Sequence, residues 1–204
     1  MNENVNKIMS EFPDIKFIMI EDGQIDYILE NLDSVLNLPG DVVELGCYVG
    51  VTTTFIRRLL DVTMSNKELH VYESFQGLPE KLEVDGAFHF KAGTLKASKQ
   101  MLLETFEKAG VKLPVINDGW FAEIPDKQYP DKICFAFFDG DFYTSIIDSF
   151  EKVYHKMTPG GIILIHDYKS MALPGVEKAC DEFLKDKPEN MTQDIYGVGK
   201  MVKQ

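Results

Sequence analysis

The chain has 204 residues, 45% of them hydrophobic and 26% charged. That suits one soluble globular domain, expected to span 1–204 with a helical segment over 1–38 and the core over 39–204. Its 33 acidic and 21 basic residues leave a formal charge of −12, which repels phosphate backbones and argues against a nucleic-acid partner.

The opening MNENVNKIMSEF has no basic flank ahead of an apolar stretch. No apolar run approaches the roughly 18 residues of a membrane span, so a cytoplasmic protein without a membrane partner is expected. Cys47, Cys134 and Cys180 are odd in number and far apart, and they show neither a CxxC pair nor zinc spacing. Buried free thiols are the expectation.

Helical and strand-like segments alternate, which predicts an α/β fold with a mostly parallel sheet and helices on both faces. Residues 21–37 place Ile25, Ile28, Leu29, Leu32, Val35 and Leu36 on one helical stripe, ended by Pro39-Gly40. Asp41–Leu45 reads as a buried strand, Gly46–Gly50 as a turn and Thr52–Leu60 as a helix. Leu69–Tyr72 is a second strand, followed by a long loop over 73–100 that contains SFQGLPE. Lys99–Ala109 is helical and Pro114–Asn117 is a short strand. Ile133–Phe138 and Ile162–Ile165 are wholly apolar, as strands buried on both faces are. Between them lie a helix over Ser145–Lys156 and a turn at Pro159-Gly160-Gly161. Val176–Lys185 is the last helix, and residues 192–203 read as a hairpin.

Strands in this pattern end in charged or small polar residues, and ligands of open α/β sheets sit at such ends. In VVELGCYVG, residues 42–50, Gly46 permits a sharp turn and Gly50 a tight entry to the helix. The spacing is not the Gly-x-Gly-x-x-Gly that wraps a dinucleotide pyrophosphate, which disfavours a nicotinamide-dependent oxidoreductase. Glu44 can take up an ammonium, so a sulfonium amino acid suits the site better than a pyrophosphate. Glu73, ending the next strand, can accept both hydroxyls of a ribose. Asn117-Asp118-Gly119-Trp120-Phe121 can flank a base. Each element also has a plain structural reading: a strand–turn–helix joint, a solvated glutamate, a packed tryptophan.

Taken together, GDVVELGCYVG, VYESFQGLPE, INDGWFAEIPD, FFDGDFYTS and PGGIILIHDY resemble the macrocin O-methyltransferase (TylF-type) family, over roughly residues 25–185. The resemblance implies a Rossmann-like class I methyltransferase with a seven-stranded, mostly parallel sheet and a C-terminal antiparallel hairpin. It implies S-adenosylmethionine as donor and a small-molecule hydroxyl, on a sugar or glycosylated metabolite, as acceptor. By motif, Glu44, Gly46, Tyr48 and Gly50 would surround the amino-acid part of the donor. Glu73 and Ser74 would hold its ribose, and Asp118, Gly119 and Trp120 would border its adenine.

Asp139 and Asp141 follow one apolar strand, and His166 and Asp167 end the next, so these groups can converge. An oxygen-rich set suits Mg²⁺ or Ca²⁺, and a metal there would lower the acceptor hydroxyl's pKa and fix its position. By resemblance, Asp139 and Asp167 are the expected metal ligands, with Asp139 also a candidate base that borders the donor. The family usually reads Asp-Asp-Tyr where this chain has His166-Asp167-Tyr168. His166 is then either a third ligand of a different character or a general base without metal. A structural alternative has Asp139 and Asp141 capping the next helix and His166 as a satisfied core residue. Phe142, Tyr143 and Tyr168 are candidates for the acceptor pocket or for packing. Two other functions fit the pattern: metal-dependent chemistry such as hydroxylation on the same fold, and a non-catalytic nucleoside-binding module. A homodimer is the default assembly.

Overall fold

The computed structural model describes residues 3–11, 20, 23–87 and 89–204. Seven strands form one sheet: β1 Asp41–Leu45, β2 Leu69–Glu73, β3 Val115–Asp118, β4 Ile133–Phe138, β5 Met157–Ile165, β6 Thr192–Gln193 and β7 Gly199–Val202, in the order β3-β2-β1-β4-β5-β7-β6. The first five run parallel, and β7 pairs antiparallel with both β5 and β6. This is the expected Rossmann-like class I methyltransferase architecture, hairpin included.

Side chains on alternate strand positions face opposite sides of the sheet. Val43, Leu45, Ala136 and Phe138 pack with Ile146, Phe150 and Val176 of α5 (Tyr143–Val153) and α6 (Pro174–Leu184). Val42, Phe135, Phe137 and Leu164 pack on the other face against α1 (Glu3–Glu11), α2 (Gln24–Val35) and α3 (Val51–Val62). A smaller cluster joins Val71 to Leu102 and Phe106 of α4 (Lys99–Ala109). The stripe read over 21–37 is α2, with Ile25, Ile28, Leu29, Leu32 and Val35 all buried. Glu21 and Asp22 lie outside the described residues. All three cysteines are buried and free. Among the described residues no helix is long and apolar enough to cross a membrane.

One expected turn is strand. Pro159-Gly160-Gly161 lies inside β5, where the register against β4 shifts between Ile133↔Met157 and Phe135↔Ile162. The segment stays in the sheet because the Gly160 N–H donates to the Lys203 carbonyl at 2.8 Å and the Lys203 N–H to the Gly161 carbonyl at 2.9 Å. Proline and glycine here mark a bulge, which they do as readily as a turn.

Strand order reverses between β1 and β4, and their carboxyl ends meet at that switch point. Gly46 has φ +86°, and a Cβ there would lie 2.1 Å from the Asp139 carbonyl oxygen. Its glycine therefore makes room for the end of β4, a constraint stronger than ligand access alone. Gly46→Ala should destabilise the fold by about 2–4 kcal/mol. Melting by circular dichroism should show Tm falling by roughly 5–15 °C; an unchanged Tm would mean that the β1–β4 junction tolerates a side chain.

Candidate active site

The strand ends are locked side by side by backbone hydrogen bonds. Gly46 N–H donates to Tyr72 O (2.9 Å), Gly119 N–H to Glu73 O (3.0 Å), Asp139 N–H to Leu45 O (2.8 Å) and His166 N–H to Phe138 O (2.9 Å). The residues just past β1, β3, β4 and β5 therefore share one rim. A cavity of about 520 Å³ opens there, within the size range of small-molecule sites. Gly46, Tyr48, Glu73, Ser74, Trp120, Asp139, Asp141, His166 and Asp167 all line it.

Glu73 is tied into the glycine turn. Its Oε2 accepts the N–H groups of Cys47 (3.2 Å) and Tyr48 (3.0 Å), and its Oε1 accepts that of Phe75 (3.0 Å). Oε1 also lies 3.5 Å from the Ser74 hydroxyl, a contact that competes with the bond from Ser74 to Gly77 O. Burial pushes the Glu73 pKa up, and these backbone donors oppose the rise. Ser74 closes the next turn, accepting from Gln76 N–H at 3.1 Å and donating to Gly77 O at 3.3 Å.

Glu44 sits deeper than expected. It is 1% exposed, it is absent from the cavity wall, and its Oε2 has no hydrogen-bond partner. Burial first, and then the Asp139 and Glu73 charges, push its pKa up to about 8. Gly50 starts α3 and is packed against Leu102 of α4, away from the cavity. Asp118 is exposed at the end of β3, and neither it nor Gly119 lines the cavity, whereas Trp120 and Phe121 do.

The second cluster is tighter. The Nδ1 of His166 lies 3.1 Å from Oδ1 of Asp139 and 2.7 Å from Oδ2 of Asp167. These are ion-pair contacts without the alignment of a hydrogen bond, and Nδ1 is a buried nitrogen with no hydrogen-bond partner. One ligand atom from each of the three residues falls within 4.8 Å of the others. Burial disfavours a charged imidazole, yet the Asp139 and Asp167 carboxylates outweigh it and hold the His166 pKa well above its usual range. Burial, with the same two carboxylates, drives the neighbouring Asp141 well up. His166 thus turns Nδ1 to the two carboxylates and Nε2 to Oε1 of Gln24 at 3.2 Å.

Neither Asp139 nor Asp141 caps α5. The N-cap residue is Phe142, with no side-chain cap, and the Tyr143 N–H donates instead to Oδ1 of Asp85 at 2.7 Å. Asp85, which the sequence did not single out, also accepts the Leu82 N–H at 2.9 Å and pins the long loop after β2 onto α5. That loop supplies Leu78, Pro79, Phe90 and Leu95 as an apolar wall, with Ala172 and Leu173 completing it. Phe142 and Tyr168 are packed in the core, and Tyr143 bonds Glu182, so none of the three lines the cavity.

Six acidic residues line the cavity, Glu73, Glu123, Asp139, Asp141, Asp148 and Asp167, and among the described residues no lysine or arginine does. Such a wall favours cationic ligands and opposes a pyrophosphate.

The sheet order, with a cavity at its switch point, defines a Rossmann-like class I methyltransferase. Its relatives narrow the class. The family model of the macrocin-O-methyltransferases (TylF) matches residues 1–202, and the chain belongs to that family. It is similar to the 8-demethyl-8-(2,3-dimethoxy-alpha-L-rhamnosyl)-tetracenomycin-C 4'-O-methyltransferase of Streptomyces olivaceus, at 25% identity over 78% of this chain and 65% of that protein. With the demethyldecarbamoylnovobiocin O-methyltransferase of Streptomyces niveus it shares 27% identity over 89% of this chain and 72% of that one. The structure of the O-methyltransferase NovP superposes with a TM-score of 0.74, at 25% identity, over 88% of this chain and 77% of that one. The chain thus spans just under two thirds of the Streptomyces olivaceus protein's length.

Glu44 gives a pH test. Its folded-state pKa of about 8 exceeds the ordinary 4.5, so the fold favours the protonated acid. That contribution is fully present below pH 4.5 and is lost as pH rises toward about 8, by up to ~1.4 kcal/mol per pH unit. Glu44→Gln, which cannot ionise, should gain stability relative to the wild type between pH 5 and pH 8 in urea titrations. A difference independent of pH would show that Glu44 is not held protonated.

Proposed function

We propose that the chain transfers the methyl group of S-adenosylmethionine to a hydroxyl of a small molecule, a sugar or glycosylated metabolite, beside a divalent cation held by Asp139, Asp167 and His166. The observation that carries this reading is the convergence of the Gly46 turn, Glu73 and the Asp139–His166–Asp167 cluster on one cavity. The relatives support the acceptor class, since one acts on a rhamnosyl tetracenomycin and another on demethyldecarbamoylnovobiocin.

The donor brings an electrophilic methyl on a positively charged sulfur, and its passage to oxygen is an in-line displacement that leaves neutral S-adenosylhomocysteine. The protein's part is placement. Glu73, fixed by three backbone donors, presents Oε1 to the ribose hydroxyls. Trp120 and Phe121 offer aromatic faces to the base.

A divalent cation between Asp139, Asp167 and Nδ1 of His166 would acidify the acceptor hydroxyl and orient it. One imidazole with two carboxylates suits Mn²⁺ or Fe²⁺ at least as well as Mg²⁺. Asp139 stands at the rim where the hydroxyl proton must leave, and its second oxygen can take that proton. The apolar wall of Leu78, Phe90 and Leu95 would shed water from the acceptor.

Asp139→Asn should lower methyl transfer from radiolabelled donor to a panel of neutral glycosides by about 10²–10⁴-fold. S-adenosylhomocysteine affinity, from calorimetry, should stay within about tenfold, and NAD should not bind. Undiminished transfer in the variant would remove Asp139 from the mechanism, and tight NAD binding would reject the donor.

A further inference from the structure

Gln24 has no part in the chemistry above, yet it is nearly buried and touches the cluster. It is the first residue of α2, 5% exposed. Its Nε2 donates to the Tyr196 carbonyl at 2.8 Å, and its Oε1 faces Nε2 of His166 at 3.2 Å.

These contacts fix three orientations in turn. A backbone carbonyl only accepts, so the amide nitrogen of Gln24 must point to Tyr196. The amide oxygen, which also only accepts, then points to His166, so His166 Nε2 must carry a proton. Nδ1 is left as the nitrogen that meets Asp139 and Asp167, free to bind a second proton or to give its lone pair to a cation. The Tyr196 carbonyl is itself held, because Oδ1 of Asp194 accepts both the Tyr196 N–H (3.0 Å) and the Val198 N–H (2.8 Å). Gly23 lets α2 begin so close: its φ is +89°, and a Cβ would lie 2.4 Å from the Tyr196 ring.

We propose that Gln24 is a positioning residue of the cation site, which holds His166 in the Nε2–H tautomer and aims Nδ1 between the two carboxylates. The inference rests on the cation reading above. Histidines that bind metal commonly donate their other N–H to a fixed oxygen, and loss of that partner costs 10–100-fold in metal affinity. Here the partner comes from an N-terminal helix anchored on the C-terminal hairpin, so both ends of the chain set the orientation of one imidazole.

The test uses the full chain and Mn²⁺ as probe, with free ion counted by electron paramagnetic resonance. Gln24→Met, which keeps the bulk and removes the acceptor, should weaken Mn²⁺ binding by about 10–100-fold while S-adenosylhomocysteine affinity stays within threefold. Gln24→Glu, which restores an acceptor, should recover most of the Mn²⁺ affinity; a merely structural role would show no such rescue. Nitrogen-15 NMR of the Mg²⁺-loaded wild type should find the His166 proton on Nε2, a readout that does not depend on a variant folding. A proton on Nδ1, or equal Mn²⁺ affinity in wild type and Gln24→Met, would overturn the positioning role. Absence of Mn²⁺ binding by the wild type itself would overturn the cation reading and this inference with it.

Discussion

Parallel pairing past the strand ends is the constraint on which the site depends. The first residue after each of β1, β3, β4 and β5 gives its N–H to a carbonyl at the end of a neighbouring strand, from Gly46 to Tyr72, Gly119 to Glu73, Asp139 to Leu45 and His166 to Phe138. Strands lie about 4.8 Å apart, so polar residues at successive strand ends have nowhere to go but beside one another. Crowding is the direct result. It demands glycine at position 46, where a Cβ would meet the Asp139 carbonyl, and it presses Asp139 and Asp167 onto His166.

The same crowding concentrates negative charge where water is scarce. Glu44, Glu73 and Asp141 all have their carboxyl pKa raised, burial being the first cause in each and nearby carboxylates adding to it for Glu44 and Asp141. Within the cluster His166 alone answers that charge. Cationic ligands would relieve that cost. The apolar loop wall faces this acidic floor, so the cavity has one greasy side and one polar side.

Much of this was legible in the sequence. β4 and α4 have the boundaries that apolar run length and helical period predict, and the strand-end motifs locate Glu73, Asp139, His166 and Asp167 on the rim where they stand. Contacts between distant segments left no such mark. Asp85 caps α5 from 58 residues away and Gln24 reaches His166 across 142, and neither residue type announces its partner. Glu44 reads as a rim acid because a strand end is near, but its alternation turns it inward toward α3, where it is 1% exposed. Pro159-Gly160-Gly161 carries turn chemistry, yet pairing with Lys203 keeps it in the sheet.

Crystals grown with S-adenosylhomocysteine would show whether donor and acidic cluster share one crevice. The ribose hydroxyls are expected on the Glu73 carboxylate and the sulfur turned toward Asp139. Density for the nucleoside outside the space between Gly46, Trp120 and Asp139 would contradict a shared crevice.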